Sequence, residues 1–186
     1  MMIKKISGYL ICAAAAVCCM LSCRKESLEE TYSSQEDRID SFIEGLMNQD
    51  PAPRVVRNGG SNRIVLTEGT GDVLETGGTV SFYYAGYVFT GSEPSAGNLF
   101  ATNREETATE SGWTLTSPDD GILTLTLDED TELLEGLKNG LAGVRGGEIC
   151  YIVFSGKHGF GNEITGTVPA NSALIYQIWV ESLTNE

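Results

Sequence analysis

The sequence is poor in the residues from which catalytic and metal centres are most often built. It has one histidine, His158, which leaves little material for a Cys/His zinc site or a Ser-His-Asp triad. Lys and Arg number 12 against 26 Asp and Glu, with no basic stripe, which argues against nucleic acid as a partner. Prolines number only 5, whereas 22 glycines indicate many turns. The 186 residues, 41% of them hydrophobic, suffice for one modest domain with its own core.

Long apolar runs are also missing, except for residues 6–21, which follow Lys4 and Lys5. A membrane-spanning helix needs about 20 apolar residues, so this run is short for a span and suits the core of a signal peptide. The run ends in Ser22-Cys23, which resembles a bacterial lipobox, where the cysteine is lipidated and becomes the new N-terminus. We therefore expect a signal peptide over residues 1–22 and a lipid on Cys23.

The alternative is a membrane-spanning anchor or a buried helix, which the charged segment starting at Arg24 argues against. Met20 stands where a lipobox usually has leucine. Cleavage before Cys23 would leave Cys150 as the one remaining thiol, so the mature chain could form no internal disulfide, and its apolar neighbours predict that Cys150 is buried. The expected location is a bacterial membrane, the outer one, with the protein facing the periplasm or the cell surface.

Residues 23–60 are predicted to form a polar tether with one amphipathic helix. Its apolar side chains recur with the helical spacing i, i+3, i+4, i+7 and i+8 at Ile39, Phe42, Ile43, Leu46 and Met47. Ser33 and Glu36 have the spacing of a capping box, which predicts the start of the helix there. The apolar stripe needs a partner, which is either the following domain or, by self-association, a second copy of the chain. The two-part organisation also predicts that removing the tether leaves residues 61–186 folded.

Residues 61–186 carry short apolar runs separated by glycine turns. Candidate strands are residues 64–66, 80–89, 123–127, 149–154 and 173–183. Residues 131–141 have helical spacing of their apolar positions. Strands with one short helix indicate an α+β domain in which the helix packs on an antiparallel sheet.

Five blocks in this region resemble, in order, the motifs of the FKBP-type peptidyl-prolyl cis-trans isomerase domain. They are residues 78–87, 99–103, 134–148, 158–161 and 168–176. The resemblance implies an FKBP-like fold, a curved antiparallel β-sheet wrapped around one short α-helix. It also implies an enzyme that acts on proline-containing polypeptides and assists the folding of extracytoplasmic proteins.

Isomerisation of a prolyl bond breaks no covalent bond, so no nucleophile, metal ion or cofactor is expected. An apolar pocket suits the twisted amide, which has lost its resonance charge separation. The resemblance places the pocket at Tyr84, Phe100, Leu133, Leu134, Leu137, Phe160, Val168 and Tyr176, with the backbone N–H of Leu134 holding the substrate carbonyl. For each of these side chains, ordinary core packing is the alternative.

Three residues depart from the family pattern. Ala101 replaces an aspartate at the pocket rim, Leu137 replaces a tryptophan on the floor, and Phe160 replaces a tyrosine. These losses predict weak activity, and the alternative is a non-catalytic, peptide-binding or chaperone-like protein of the same fold. Residues 104–122 are longer than in minimal members, and Trp113 within them is expected either to cover the pocket or to pack beneath the insertion.

The lipid anchor can be tested by the substitution Cys23→Ala. Because the thiol is the acceptor of the lipid, the variant is expected to leave the membrane fraction or to keep its signal peptide. Mass spectrometry and membrane fractionation of the two proteins measure this. Unchanged mass and unchanged membrane retention in the variant would contradict the prediction.

Overall fold

The computed structural model describes residues 26–116 and 121–185. The signal peptide predicted over residues 1–22 and the lipidation predicted at Cys23 lie outside these ranges. Within them, no helix is both long and apolar enough to cross a membrane. The chain divides after Ser34 into two compact units. The described part of the first unit is helical, and in it Thr31 Oγ1 donates a hydrogen bond of 2.9 Å to the Ser27 carbonyl.

The second unit, which begins at Gln35, contains all nine strands of the described chain. Seven form one antiparallel sheet in the order β1-β2-β8-β9-β4-β5, with β6 also pairing with β4, and β3 pairs with β7 separately. The strands are β1 (Arg54–Asn58), β2 (Ser61–Thr67), β3 (Thr70–Val73), β4 (Thr79–Val88), β5 (Leu99–Thr102), β6 (Leu123–Thr126), β7 (Arg145–Gly146), β8 (Ile149–Phe154) and β9 (Leu174–Thr184). The helices are α1 (residues 26–47), α2 (Glu105–Glu110) and α3 (Glu135–Leu141).

The long central strands follow the predicted pattern. In β9, Leu174, Tyr176, Ile178 and Val180 point to one face and are buried in the main core. The five predicted strands correspond to β2, β4, β6, β8 and β9, whereas β1, β3, β5, β7 and α2 were not predicted. These missed elements are short, and β3 is exposed at all four positions, so they carry no apolar period.

Helix α3 packs across the sheet and begins four residues later than predicted. Thr131 closes a turn in front of it, because its Oγ1 donates to the Thr126 carbonyl at 2.6 Å and accepts from the Asp128 N–H at 2.9 Å. The helix approaches β8 closely at Gly136, where a Cβ atom would lie 2.2 Å from the ring of Phe154. Only glycine allows this approach without displacing either element.

A buried ion pair fixes the C-terminal end of α3. Arg63, on β2, donates hydrogen bonds to the carbonyls of Gly140, Ala142 and Gly143, at 2.7 to 3.0 Å. Its Nε lies 3.2 Å from Oε1 of Glu148, whose side chain is fully buried. Burial raises the pKa of Glu148, and the Arg63 charge opposes that rise. The arginine therefore joins the helix end to β2 and to the turn that precedes β8.

Helix α1 covers the other face of the sheet. Its apolar stripe packs within a second cluster that includes Ile64, Ala85, Tyr87, Phe89 and Ile175, together with Ile39, Phe42, Ile43 and Leu46. The stripe is therefore docked on its own domain, but Met47, predicted as its fifth member, is 47% exposed and lies outside the cluster. Self-association through the same four residues stays a prediction.

The predicted start of α1 is wrong, since Ser33 lies inside a helix that already includes residue 26. The helix extends toward the N-terminus through a polar segment that carries no apolar stripe. The boundary predicted between residues 60 and 61 falls inside the second unit, because β1 pairs with β2 from Arg54 opposite Val65 to Asn58 opposite Ser61.

Leu46→Asp should destabilise the whole second unit. The substitution removes a buried side chain and places a carboxylate in an apolar cluster, so we expect a loss of at least about 3 kcal/mol in the free energy of unfolding. Met47→Asp is the matched control, because the neighbouring Met47 is 47% exposed. Urea unfolding of both variants measures the effect. Equal midpoints would show that α1 does not contribute to the stability of the sheet.

Candidate functional site

A hollow of about 540 Å³ lies between α3 and the face of the sheet that α3 covers. Its walls come from strands β4, β5, β6 and β9, from the start of α3 and from the loop before β9. The lining residues are Phe82, Tyr84, Phe100, Ala101, Leu123, Glu132, Leu133, Leu134, Leu137, Phe160, Thr165, Gly166, Thr167 and Tyr176. The hollow is thus mostly aromatic and aliphatic, with polar groups at its edge.

The structure brings together all the predicted pocket residues except one. Tyr84, Phe100, Leu133, Leu134, Leu137, Phe160 and Tyr176 line the hollow. Val168 does not, because its side chain is fully buried in the main core. Its backbone pairs with Thr165 in an isolated bridge, and Val168 therefore anchors the loop whose preceding residues form part of the wall.

Tyr176 is the centre of the aromatic wall. Its ring stands perpendicular to that of Phe100, at 89° and 5.8 Å between centroids, and stacks on Phe154 at 15° and 6.1 Å. The ring centroids of Tyr84 and Tyr176 are 6.3 Å apart, and those of Phe160 and Phe100 are 6.1 Å apart. Such edge-to-face and offset pairs stabilise one another beyond the area they bury. The wall is therefore preorganised.

The packing of Tyr176 and Phe100 depends on Gly86 in β4. A Cβ atom there would lie 2.8 Å from the Tyr176 ring and 2.9 Å from the Phe100 ring. A larger residue at position 86 would push both rings into the hollow.

The floor of the hollow is the first turn of α3. Leu137 is buried on its inner side, and Leu134 is the residue immediately before the helix begins. The first amides of a helix have no acceptor within the helix, so an amide in this position can bind a carbonyl oxygen from outside.

The hollow offers little acid–base chemistry. Burial raises the pKa of Tyr176, and the neighbouring Tyr84 raises it further, so the phenol stays neutral at physiological pH. Glu132, at the edge, is exposed. Among residues 26–116 and 121–185, no three His, Cys, Asp or Glu side chains are grouped as metal ligands. The arrangement can enclose a small apolar ring and hold an amide away from water.

Several wall residues were missed by the sequence reasoning. Leu123 had a signal, the alternation of β6, but Thr165, Gly166 and Thr167 had none, because they reach the hollow through the path of a loop. Trp113 is 40% exposed and is not among the described residues that line the hollow. Asn103, which directly precedes the insertion, links it to the wall: its Oδ1 accepts from the Tyr84 N–H at 2.7 Å, and its Nδ2 donates to the Gly121 carbonyl at 2.8 Å.

The fold and the hollow define an α+β domain with an apolar ligand cleft, and comparisons identify its family. The FKBP-type peptidyl-prolyl cis-trans isomerase family matches residues 71–181, so the chain belongs to that family. FK506-binding protein 1 of Aspergillus oryzae is 24% identical over 119 residues, which is 64% of this chain and 94% of the fungal protein.

Solved structures share the fold at low identity. FkpA from Escherichia coli is 18% identical with a TM-score of 0.54, over 99% of this chain and 74% of that chain. A peptidyl-prolyl cis-trans isomerase from Pseudomonas syringae is also 18% identical, with a TM-score of 0.55 over 84% and 96%. The predicted FKBP-like fold, an antiparallel sheet curved around a short helix, is confirmed.

Proposed function

We propose that this protein catalyses the cis–trans isomerisation of prolyl bonds in polypeptides, with the proline ring bound in the hollow of about 540 Å³. The observation that carries the proposal is the convergence of Tyr84, Phe100, Phe160 and Tyr176 on one apolar cavity, although they lie far apart in the sequence. Membership of the isomerase family supports it.

The chemistry requires a cavity of this kind. Rotation about a peptide bond has a barrier of about 18 to 20 kcal/mol, because the planar amide is stabilised by resonance. The twisted amide has lost that resonance and its charge separation. Removal of water therefore costs it less hydration free energy than it costs the planar form. Transfer into an apolar cavity therefore favours the twisted state, and no proton transfer is needed.

Each wall then has a role. The rings of Phe100 and Tyr176 hold the proline ring, Leu137 supports it from below, and the backbone N–H of Leu134 donates to the substrate carbonyl. The donor fixes the orientation of the peptide while the walls exclude water.

Activity is expected to be weak. The side chains at positions 101, 137 and 160 remove a polar rim group, a broad floor and a hydroxyl group compared with the family pattern. A contact of this kind contributes about 1 to 3 kcal/mol, or roughly 10- to 100-fold in rate if it is felt in the transition state. The alternative function is peptide binding without catalysis, as a chaperone-like protein, which the apolar hollow supports equally.

The proposed setting is outside the cytoplasm. A lipid on Cys23 would hold the protein at a bacterial membrane, the outer one, facing the periplasm or the cell surface. The clients would be extracytoplasmic proteins that fold there.

Phe100→Ala should abolish most of the activity. Truncating the ring opens the wall beside Tyr176, and we expect kcat/KM to fall by about tenfold or more. The measurement is the cis-to-trans relaxation of a proline peptide with purified full-length protein. Trp113→Ala is the matched control, because this exposed aromatic residue lies outside the hollow. No acceleration by the wild type would refute catalysis, and equal acceleration by Phe100→Ala would place the site elsewhere.

Leu137→Trp should raise the activity. The larger ring restores a broad floor, and a gain of about tenfold in kcat/KM is expected if the hollow accommodates it. The competing effect is overpacking, since Leu137 is only 5% exposed, and this would appear as a lower unfolding midpoint. A variant with unchanged stability and unchanged rate would show that the floor does not limit catalysis.

A further inference from the structure

One wall of the hollow is part of a loop, residues 156–171, that leaves the sheet after β8 and returns before β9. This segment supplies Phe160, Thr165, Gly166 and Thr167 to the lining. Residues 162–167 of this loop are exposed, so the position of the wall depends on how the loop is held at its ends. A compact loop with adjoining ends can be fixed by a few hydrogen bonds there.

The two ends of this loop meet at Gly156 and Asn171. The Gly161 N–H donates to the Gly156 carbonyl at 3.0 Å, and the Asn171 N–H donates to the Gly161 carbonyl. A Cβ atom at Gly156 would lie 2.6 Å from the carbonyl carbon and oxygen of Asn171. The two ends are therefore so close that a side chain at position 156 would collide with the backbone of Asn171. Asn171 has a φ of 59°, the left-handed conformation that turns the chain toward β9.

A single side chain from helix α1 bridges both ends. Gln35 Oε1 accepts a hydrogen bond of 2.8 Å from the Gly156 N–H, and Gln35 Nε2 donates one of 2.5 Å to the Asn171 carbonyl. The side chain is only 4% exposed, although it lies on a helix whose neighbouring residues are exposed. The two backbone groups are a donor and an acceptor, and the Gln35 amide satisfies both because it carries an acceptor oxygen and a donor nitrogen.

The next residue of the helix reinforces this contact. Ser155 Oγ, which is buried, donates to Glu36 Oε1 at 3.3 Å. Burying an amide without hydrogen bonds costs free energy, so packing alone does not explain a glutamine at position 35. The two hydrogen bonds of its side chain do. The geometry is that of a clamp on the loop.

We propose that Gln35 is a positioning residue that holds loop 156–171 in place, so that the N-terminal helix sets the shape of the hollow on the opposite side of the sheet. Gln35 does not touch the hollow. It acts through Gly156 and Asn171 on Phe160 and on residues 165–167. The effect on rate rests on the proposed isomerase function, but the effect on the loop does not.

The test compares Gln35→Met, which keeps the length of the side chain and loses both hydrogen bonds, with the full-length wild type. Ile43→Val is the control, because Ile43 is 3% exposed on the same helix and packs in the cluster over the sheet. Backbone amide spectra and hydrogen exchange are recorded where all three proteins are folded. Gln35→Met should shift the signals of residues 156–171 and speed the exchange of the Gly161 and Asn171 amides, whereas Ile43→Val should leave both as in the wild type.

The rate provides a second readout. Displacing a wall by about 1 Å can cost up to about 100-fold, and we expect kcat/KM of Gln35→Met to fall by about tenfold, with Ile43→Val near the wild type. Gln35→Glu keeps the acceptor for Gly156 but cannot donate to Asn171, so its loop signals should move near residue 171 more than near residue 156. If Gln35→Met does not fold, the Gln35→Glu variant alone tests whether Gln35 holds the loop.

The two proposals fail in different ways. A wild type without isomerase activity refutes the proposed function, while the amide spectra still decide whether Gln35 holds the loop. Loop signals and exchange rates that are unchanged in Gln35→Met, or changed equally in Ile43→Val, overturn the positioning role.

Discussion

The close approach of α3 to strand β8 is the constraint on which the hollow depends. A Cβ atom at Gly136 would lie 2.2 Å from the Phe154 ring, and one at Gly140 would lie 2.2 Å from Ile152. The helix can therefore lie on the sheet only with glycine at both contacts. The floor of the hollow belongs to the same helix, because α3 carries Leu137 and the residue directly before it is Leu134. A shift of the helix would move the floor and the candidate donor together.

The buried ion pair makes sense in this setting. An ion pair without water is costly, and an apolar pair of similar volume is often as stable. Arg63, however, also donates hydrogen bonds to three carbonyls at the end of a helix of only seven residues, and the last carbonyls of a helix have no N–H donors within the helix itself. Glu148 offsets the charge of the arginine that does this. The pair is best understood as the means by which a short helix is held in one position.

Features that depend on local sequence patterns were predicted correctly, whereas features that depend on contacts between distant residues were missed. Strands β6 and β9 were predictable because the alternation of apolar and polar residues is a local pattern, and the convergence of Tyr84, Phe100 and Tyr176 followed from ordered family motifs. Val168 was placed in the pocket, whereas only the neighbours of this core residue reach the hollow. Residues 165–167 and β1 escaped prediction because loop path and edge pairing are set by distant partners. The clamp at Gln35 was invisible for the same reason, since its two partners lie more than a hundred residues away.

A cavity that acts by enclosing an amide depends strongly on the residues that position its walls from a distance. Where a reaction needs a base or a nucleophile, its rate depends first on the presence of that group. In the proposed isomerisation the walls supply shape and exclude water, so the rate depends first on where the walls are placed. Two surfaces of the hollow are held from outside it, the floor by Arg63 and the loop wall by Gln35. It follows that a substitution at either residue can change the proposed activity while every residue that lines the hollow is retained.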